Sequence, residues 1–335
     1  MAEVFVLPKP KVRRQLHISA LQMLSRCGQQ FQFRYILGKK QPPGIFTLVG
    51  TSTHRTIHHD LNTKIKTGML ASDIEVKDIA STIFDSAYQQ EPVEPTEDDL
   101  EEGLTLASAK DKAIGLAMVH HQQLAPILYP VAVERPFSLS LDRYLKAKEQ
   151  QLRENAKQVT GYARDLMRRM ATAHNVIARD GCDFAGTQDV IEAYPTKFED
   201  EGSALTVAIR DTKTGRKSPN KAEAEHSLQL TAYALASNVL DGRLPDKLFL
   251  DYLIETPALK ERYVKSLTTV ASQNDVDMFM ERVSNAVYAL HSGVFVPART
   301  DDWWCSKRFC GYFGICPYAK RPAVSKPLIQ IDTKG

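Results

Sequence analysis

The chain has 335 residues, of which 43% are hydrophobic and 25% are charged. This composition excludes a disordered or fibrous protein, and no stretch reaches the ~18 apolar residues of a membrane span. The net charge of +3 hides an uneven distribution, because basic residues dominate 1–40 and 140–180 whereas 91–111 is acidic. We therefore expect a soluble cytoplasmic protein whose basic segments are either solvated helix faces or a track for a polyanion.

The N-terminal third is predicted to be mostly helical. After a basic tail that runs to about Arg14, residues 19–38 keep helical spacing and form the first predicted helix, with Cys27 in its middle. A Pro-Pro-Gly turn follows, and a loop then enters a second helix, at whose start His54 is placed. Further helical patterns run through 60–128, which we interpret as a helical insertion.

The middle of the chain alternates between predicted strands and helices. Four segments have the apolar, β-branched pattern of strands: 131–141, 183–193, 204–214 and 247–255. A basic helical insertion, 142–180, follows the first of them. Two more helices are predicted at about 222–240 and 273–291. Strands grouped between helices predict a single α/β domain over 1–335, with a mixed central sheet flanked by helices.

The string Asp211-Thr212-Lys213 closes the third predicted strand. Residues i and i+2 of a strand point to the same face, so Asp211 and Lys213 should project side by side. Asp189, on the preceding strand, could reach that face from a hairpin partner. Two carboxylates with a lysine suit a hard divalent cation and an oriented water, the requirements of phosphodiester hydrolysis. A surface Asp-Lys pair beside an unrelated aspartate is the alternative.

Three further elements accompany this string in a fixed order. They are GxxxH, ending at His54; GxxD, ending at Asp189; and QxxxY, running from Gln229 to Tyr233. With these elements the chain resembles the RecB-like nucleases of the PD-(D/E)XK superfamily. The resemblance implies a restriction-endonuclease-like fold and a metal-dependent DNA nuclease.

The resemblance also implies the ligands of the catalytic metal. His54, Asp189 and Asp211 would bind Mg²⁺ or Mn²⁺, with help from the backbone carbonyl of Thr212. Lys213 would orient the attacking water. A bound cation stabilises charge on the scissile phosphate and lowers the pKa of a bound water, so the implied ligands agree with the chemistry inferred from the residues.

Several residues near the D-x-K strand are candidates for contact with DNA. The resemblance implies that Gln229 and Tyr233 position the DNA strand. Arg216 and Lys217, beside the D-x-K strand, could contact phosphates. Glu134, on the first strand, matches an acidic residue often found there in the family, and a structural strand carboxylate is the alternative.

Two histidines follow His54 on the same predicted helix. His58 lies at i+4 and could mimic a two-histidine metal face. The glutamate of an HExxH motif is missing, which argues against a zinc hydrolase. We therefore interpret His58 and His59 as surface or packing residues.

The cysteines are five in number and unevenly placed, which argues against a secreted disulfide framework. Cys305, Cys310 and Cys316 form a C-x4-C-x5-C pattern in an aromatic C-terminal segment. Three thiolates make an incomplete tetrahedral set, and Cys27 is the candidate for the fourth. Cys182 is interpreted as a small buried hydrophobe.

An iron–sulfur branch of the RecB-like nucleases has one cysteine before the nuclease core and three after it. This branch includes AddB-type recombination subunits and nucleases of CRISPR adaptation. The resemblance thus implies a [4Fe-4S] cluster on the four cysteines, with 300–320 packing against 19–38. Bound zinc and buried thiols without a metal are the two alternatives.

These features predict a divalent-metal-dependent deoxyribonuclease. We expect an exonuclease that acts on DNA ends or single strands during repair, recombination or phage genome processing. The chain has no G-x-x-x-x-G-K-[ST] string, so a helicase or recombination protein would be a separate partner. The alternative is a catalytically silent iron–sulfur subunit that binds DNA. A third interpretation is an RNA nuclease. The oligomeric state is left open.

Overall fold

The computed structural model describes residues 14–41, 43–101, 103–196, 204–256 and 261–319. Most of the predicted basic tail, the tip of the hairpin that follows Asp189 and the last residue of the predicted 300–320 segment lie outside these ranges. Within them, a mixed six-stranded sheet is flanked by helices. The predicted α/β architecture is confirmed.

The sheet contains β1 Arg14–His17, β2 Pro130–Ser140, β3 Cys182–Pro195, β4 Leu205–Gly215, β5 Lys247–Glu255 and β6 Arg262–Thr269. Its order is β1-β3-β4-β5-β6, with β2 paired to β3. The β1–β3 and β4–β5 pairs are parallel, and the other pairs are antiparallel. All four predicted strands are present within a residue or two of their expected bounds, whereas β1 and β6 were not predicted.

Strand β3 is the centre of this arrangement because it has three partners but only two edges. Strand β2 pairs along 183–192, so β1 and β4 must share the opposite edge. The β4 pairing covers only 190–195 of β3, and β4 then continues beside β5 alone. From Asp189 towards the start of β3, strands β3 and β4 are no longer paired. We call this point of separation the fork.

The α-helices are α1 Ile18–Arg26, α2 Gly28–Phe31, α3 Ile45–Thr67, α4 Asp73–Gln90, α5 Glu97–Glu101, α6 Leu106–Val119, α7 Asp142–Lys157, α8 Gly161–Asp180, α9 Ala222–Glu225, α10 Leu228–Leu240 and α11 Gln273–His291. Short π-helical turns, Gln32–Ile36 and His120–Leu124, follow α2 and α6, and a 3-10 turn covers Ala125–Ile127. None of the helices in the described ranges is long and apolar enough to cross a membrane.

Two helix predictions are corrected. The first predicted helix is broken, because Cys27 is extended (φ −162°, ψ 109°) between α1 and α2 rather than central in one helix. His54 lies well inside α3, which already begins at Ile45. The β-branched and Gly residues before His54 weaken the local helical pattern, but burial of Ile45 and Val49 against neighbouring helices stabilises the helix there.

Two apolar clusters cover the two faces of the sheet. Leu248 and Leu250 of β5 belong to one cluster and Leu253 to the other, because side chains alternate along a strand. Helices α8, α10 and α11 contribute to the first cluster, whereas α3, α4 and α6 contribute to the second. Helices α3 and α10 therefore approach the fork from opposite sides.

Candidate active site

Three carboxylates occupy one row across the sheet. Val190 pairs with Val133 of β2 and with Arg210 of β4. The next residues along the three strands are Glu134, Asp189 and Asp211, which we call the carboxylate row. The Tyr233 hydroxyl lies 2.9 Å from Asp189 Oδ1 and 3.5 Å from Asp211 Oδ1, so negative charge is concentrated at the fork.

Asp189 is the most connected member of this row. It accepts hydrogen bonds from the Tyr233 hydroxyl at 2.9 Å and the Thr212 backbone N–H at 3.3 Å, and its Oδ2 lies 2.8 Å from His54 Nε2. Burial would raise the pKa of Asp189, but the hydrogen bond and charge of His54 outweigh burial and hold it at about 2. The pKa of His54 is raised in turn, because the bond to Asp189 outweighs its burial.

Asp211 is fully buried and has a different environment. Lys213 Nζ lies 2.8 Å from its Oδ2 and also donates to Gln229 Oε1 at 2.8 Å. Gln229 Nε2 donates to the Tyr233 hydroxyl at 2.8 Å, which closes the network. Burial raises the pKa of Asp211 to about 7; Lys213 opposes the rise and the Asp189 charge adds to it.

The network opens into a cavity of about 470 Å³ whose walls include His54, Asp189, Lys213 and Gln229. Lys213 is 39% exposed there, so its ammonium group is accessible from solvent. Arg55 also lines the cavity and was not singled out in the sequence, although it directly follows His54. A phosphate group entering this cavity would meet cationic groups on two sides.

The predicted residues fall into two groups. Six are brought together within one hydrogen-bonded network: His54, Asp189, Asp211, Lys213, Gln229 and Tyr233. Glu134 also lines the cavity, and its nearest ion-pair partner is His58, at 2.6 Å. Arg216 and Lys217 follow β4 outside the cavity wall, and the Arg216 guanidinium lies 5.8 Å from the Phe46 ring centroid.

The donor set fits a hard divalent cation. Two buried carboxylates, an imidazole and the Thr212 backbone face one another at the fork, and Lys213 is the cation that balances Asp211. Carboxylate and carbonyl oxygens are the ligands that Mg²⁺ and Mn²⁺ prefer.

A family model described as the PD-(D/E)XK nuclease superfamily matches residues 15–317, which include the whole described sheet except Arg14. The chain belongs to the PD-(D/E)XK nuclease superfamily. Nucleases of this superfamily use divalent metal ions and act on DNA. No curated protein matches the chain.

A second cavity of the PD-(D/E)XK domain is lined by Cys27, Cys305, Cys310 and Cys316. Burial raises the pKa of the Cys305 thiol, and so do the other three cysteines, because charge on one thiolate opposes charge on its neighbours. Among the described residues, no three of these sulfurs lie within 4.8 Å of one another. Zinc bonds of about 2.3 Å would draw four thiolates closer than this.

Several N–H groups point at this cavity. Gln30 donates to the Cys310 sulfur at 3.0 Å, and the Ala298 backbone N–H donates to the Cys27 sulfur at 3.4 Å. The indole N–H of Trp304 is buried in the cavity wall without a hydrogen-bond partner. Buried N–H groups are normally paired, so the Trp304 N–H leaves one donor in this cavity without its acceptor. Cys182 instead lies in the apolar core.

Proposed function

We propose that this PD-(D/E)XK domain is a metal-dependent DNA exonuclease. In this proposal His54, Asp189, Asp211 and the Thr212 carbonyl hold Mg²⁺ or Mn²⁺. The observation that carries the proposal is the position of Lys213, whose ammonium group bridges Asp211 and Gln229 at the wall of the open cavity. A lysine beside two buried carboxylates is suited to hydrolysis of a phosphodiester.

The roles follow from what each side chain contacts. The metal, when bound, supplies charge stabilisation for the scissile phosphate and acidifies a water. Lys213 holds that water by hydrogen bonding, and Gln229 fixes the direction of the Lys213 ammonium group. Tyr233 is 1% exposed, so we assign it to orienting Asp189 rather than to touching DNA.

The DNA-facing residues are proposed from their exposure and charge. Gln229 lines the cavity, and the exposed Lys217 continues from the same strand as Lys213. Arg216 and Lys217 would contact phosphates next to the cleaved bond. We expect the enzyme to act at DNA ends or on single strands. The resemblance to RecB-like nucleases supports this substrate, a role in repair, recombination or phage genome processing, and a separate helicase as partner.

We also propose a [4Fe-4S] cluster on Cys27, Cys305, Cys310 and Cys316. Support comes from the shared cavity and the unpaired Trp304 N–H. Hydrogen bonds to the sulfurs are a normal feature of such clusters. The cluster would fasten the C-terminal segment to α1 and α2, a role in stability rather than in cleavage.

The test of the nuclease is cleavage by Lys213→Ala. We expect the variant to lose at least about 100-fold in rate, the usual effect of losing a group that positions the attacking water, while it still binds DNA. Lys221→Ala, an exposed lysine paired with Glu225, is the matched control and should cleave normally. End-labelled linear DNA and circular single-stranded DNA serve as substrates, and an exonuclease leaves the circle intact.

The alternative is a DNA-binding iron–sulfur subunit without activity. The complete Asp189, Asp211 and Lys213 set speaks against it, because binding alone does not require all three groups. Equal DNA binding by wild type and Lys213→Ala, with no cleavage by either in Mg²⁺ or Mn²⁺, would favour the silent subunit.

A further inference from the structure

Helices α7 and α8 form a hairpin that connects β2 to β3. These strands are antiparallel neighbours, and the Leu141 N–H donates to the Cys182 carbonyl at 2.9 Å where the connection leaves and rejoins the sheet. A turn of about two to five residues is enough to join two such strands. Residues 142–180, which we call the basic hairpin, therefore add a surface that the sheet does not require.

The basic hairpin carries the positive charge of the molecule. It contains nine Lys and Arg against five Asp and Glu, whereas the whole chain contains 43 against 40. The remainder of the chain thus has no net positive charge. A charge that is concentrated on one element attracts partners of opposite charge.

One side of the basic hairpin is fixed to α11. The Tyr144 hydroxyl and Lys148 Nζ donate to Glu281 Oε2 at 3.1 and 2.9 Å. His174 is fully buried, and its Nε2 lies 3.1 Å from Ser284 Oγ. These contacts hold the hairpin in place, so its exposed sides are presented to a ligand in a fixed position.

The exposed cations form one stripe on each helix. Side chains three or four positions apart share a helix face, and this spacing connects the cations with neutral polar residues only. The α7 stripe is Arg143, Lys146, Gln150, Arg153 and Lys157, and the α8 stripe is Arg164, Arg168, Thr172, Asn175 and Arg179. Every member is exposed except Arg164, which is half-buried. Neither stripe contains an Asp or Glu.

The stability of the helices does not account for these stripes. Cations one turn apart repel each other and destabilise a helix slightly. Arg153 and Lys157 have carboxylate partners on α7, whereas no ion pair of Arg143, Lys146 or Arg168 is present within the described ranges. These three exposed cations are available to a ligand.

The length and composition of the stripes fit duplex DNA. The α7 stripe, from Arg143 to Lys157, is about 21 Å long at 1.5 Å per residue. Each strand of a duplex carries a phosphate about every 3.4 Å along the axis, so this length matches about six phosphates. Neutral members such as Gln150 also donate to phosphate oxygens. Neither stripe contains an aromatic side chain, on which a surface for single-stranded DNA would stack bases.

We propose that the basic hairpin binds the phosphate backbone of duplex DNA outside the catalytic cavity. Strand β3 runs from Cys182, at the base of the hairpin, to Asp189 at the fork, a distance of about 23 Å. The hairpin would therefore hold the duplex away from the cleaved bond, whereas Arg216 and Lys217 are assigned to phosphates next to it. The inference rests on the proposed function only in naming DNA as the polyanion.

The test is the salt dependence of DNA binding by the full-length chain. Fluorescence anisotropy with a labelled duplex of about 30 base pairs in EDTA measures binding without cleavage. The slope of log K against log salt concentration changes by about 0.9 for each phosphate contact. We expect Arg143→Gln combined with Lys146→Gln to reduce the magnitude of this slope by about 1.8 and to weaken binding at least about tenfold at about 0.1 M salt.

Lys66→Gln combined with Lys77→Gln is the matched control, because it removes two exposed lysines from α3 and α4 and changes the net charge equally. Its slope should equal that of the wild type. All four substitutions place a good helix former at an exposed helical position, so each variant should fold. Equal slopes for the two double variants would overturn the proposal.

Cleavage of linear DNA in Mg²⁺ or Mn²⁺ separates this inference from the proposed nuclease. A slope that is reduced only in the hairpin variant supports DNA binding by the basic hairpin, even when the wild type does not cleave. Cleavage by the wild type together with equal slopes for both double variants overturns the hairpin and leaves the nuclease proposal standing.

Discussion

Two adjacent carboxyl groups at the fork have pKa values that are shifted in opposite directions. Asp189 accepts from Tyr233 and contacts His54, which outweighs its burial and keeps its pKa at about 2. Asp211, although paired with Lys213, is so deeply buried that its pKa rises to about 7. Like charges in close contact do not both ionise easily, so the metal-free site keeps a proton that a cation must displace.

This protonation predicts pH-dependent metal binding. Below about pH 7 Asp211 is protonated, and the raised pKa of His54 favours its charged form, so both groups must lose a proton to bind a cation. We expect the affinity for Mn²⁺ to fall as pH decreases from 8 to 5.5, by about tenfold per pH unit for each proton displaced. Calorimetry in buffers of different ionisation enthalpy measures both the affinity and the protons released.

Asp211→Asn is the control for this pH dependence, because an amide cannot hold the competing proton. Its remaining binding should depend less steeply on pH than that of the wild type. An equal dissociation constant for the wild type at pH 5.5 and pH 8 would contradict the assignment of Asp211 as a ligand.

Among the elements, β4 depends on a buried ion network next to the fork. The Arg210 guanidinium bonds Glu192 of β3 and Asp251 of β5, and it lies 3.9 Å from the Phe249 ring centroid. This network joins three neighbouring strands one residue before Asp211. It therefore helps to fix the strand register on which the carboxylate row depends.

Arg210→Leu should destabilise the protein strongly. The substitution leaves Glu192 and Asp251, each 1% exposed, without their shared cation, and an uncompensated buried charge costs about 3–5 kcal/mol. Urea unfolding followed by circular dichroism measures the loss. Arg243→Leu breaks an exposed pair with Asp246 and should change the free energy of unfolding by no more than about 1 kcal/mol. Equal effects of the two substitutions would refute the role given to the network.

Helix α2 depends on a close backbone contact. Gly28 donates to the Val296 carbonyl at 2.7 Å, and a Cβ at this position would lie 2.5 Å from the carbonyl carbon of Phe295. The neighbour is backbone and cannot rotate away. Only glycine therefore allows residues 295–296 to approach the turn that follows Cys27.

We expect Gly28→Ala to lower the free energy of unfolding by about 1–3 kcal/mol, the usual cost of overpacking. Gly314→Ala, in the C-terminal segment, meets open space and should change it by less than about 0.5 kcal/mol. Thermal or urea unfolding compares the two variants. A neutral Gly28→Ala would show that the 295–296 segment is not fixed against α2.

Over the whole molecule, the cysteine cavity joins the two ends of the described chain. Tyr312 donates to the Lys39 carbonyl at 2.7 Å, and its ring stacks on Phe33 at 5.3 Å, beside the cavity. A cluster on Cys27 and Cys305 would connect residues 278 positions apart. A crosslink across so long a loop removes much of the conformational freedom of the unfolded chain.

Cys27→Ala should therefore lose iron and unfold at a lower temperature. The pH dependence of metal binding at the fork should change little, because the cluster is assigned to stability. Iron and acid-labile sulfide analysis, the visible spectrum and calorimetry of anaerobically purified protein measure these effects. Cys182→Ala is the control, because Cys182 lies in the core and should not alter iron content. Normal iron content and melting temperature in Cys27→Ala would exclude the proposed cluster.

Local patterns in the sequence predicted much of this fold. Strands β2, β3, β4 and β5 were found because their apolar, alternating residues are buried in the sheet. Strand β1 has only four residues, too few to show alternation, and β6 is largely polar or half-exposed. The proposed insertions 60–128 and 142–180 correspond to helices from the end of α3 to α6 and to α7 and α8.

The sequence by itself determined which chemical groups the chain carries and their order: the D-x-K string, the flanking His54 and Gln229, and the four separated cysteines. Only the tertiary structure decided which of them meet. The meeting of Asp189 and Asp211 at the Tyr233 hydroxyl arises from packing of α10 against β3 and β4, and the ion pair of His58 with Glu134 arises from packing of α3 against β2. Both depend on contacts between residues far apart in the chain, whereas periodicity reports only on near neighbours.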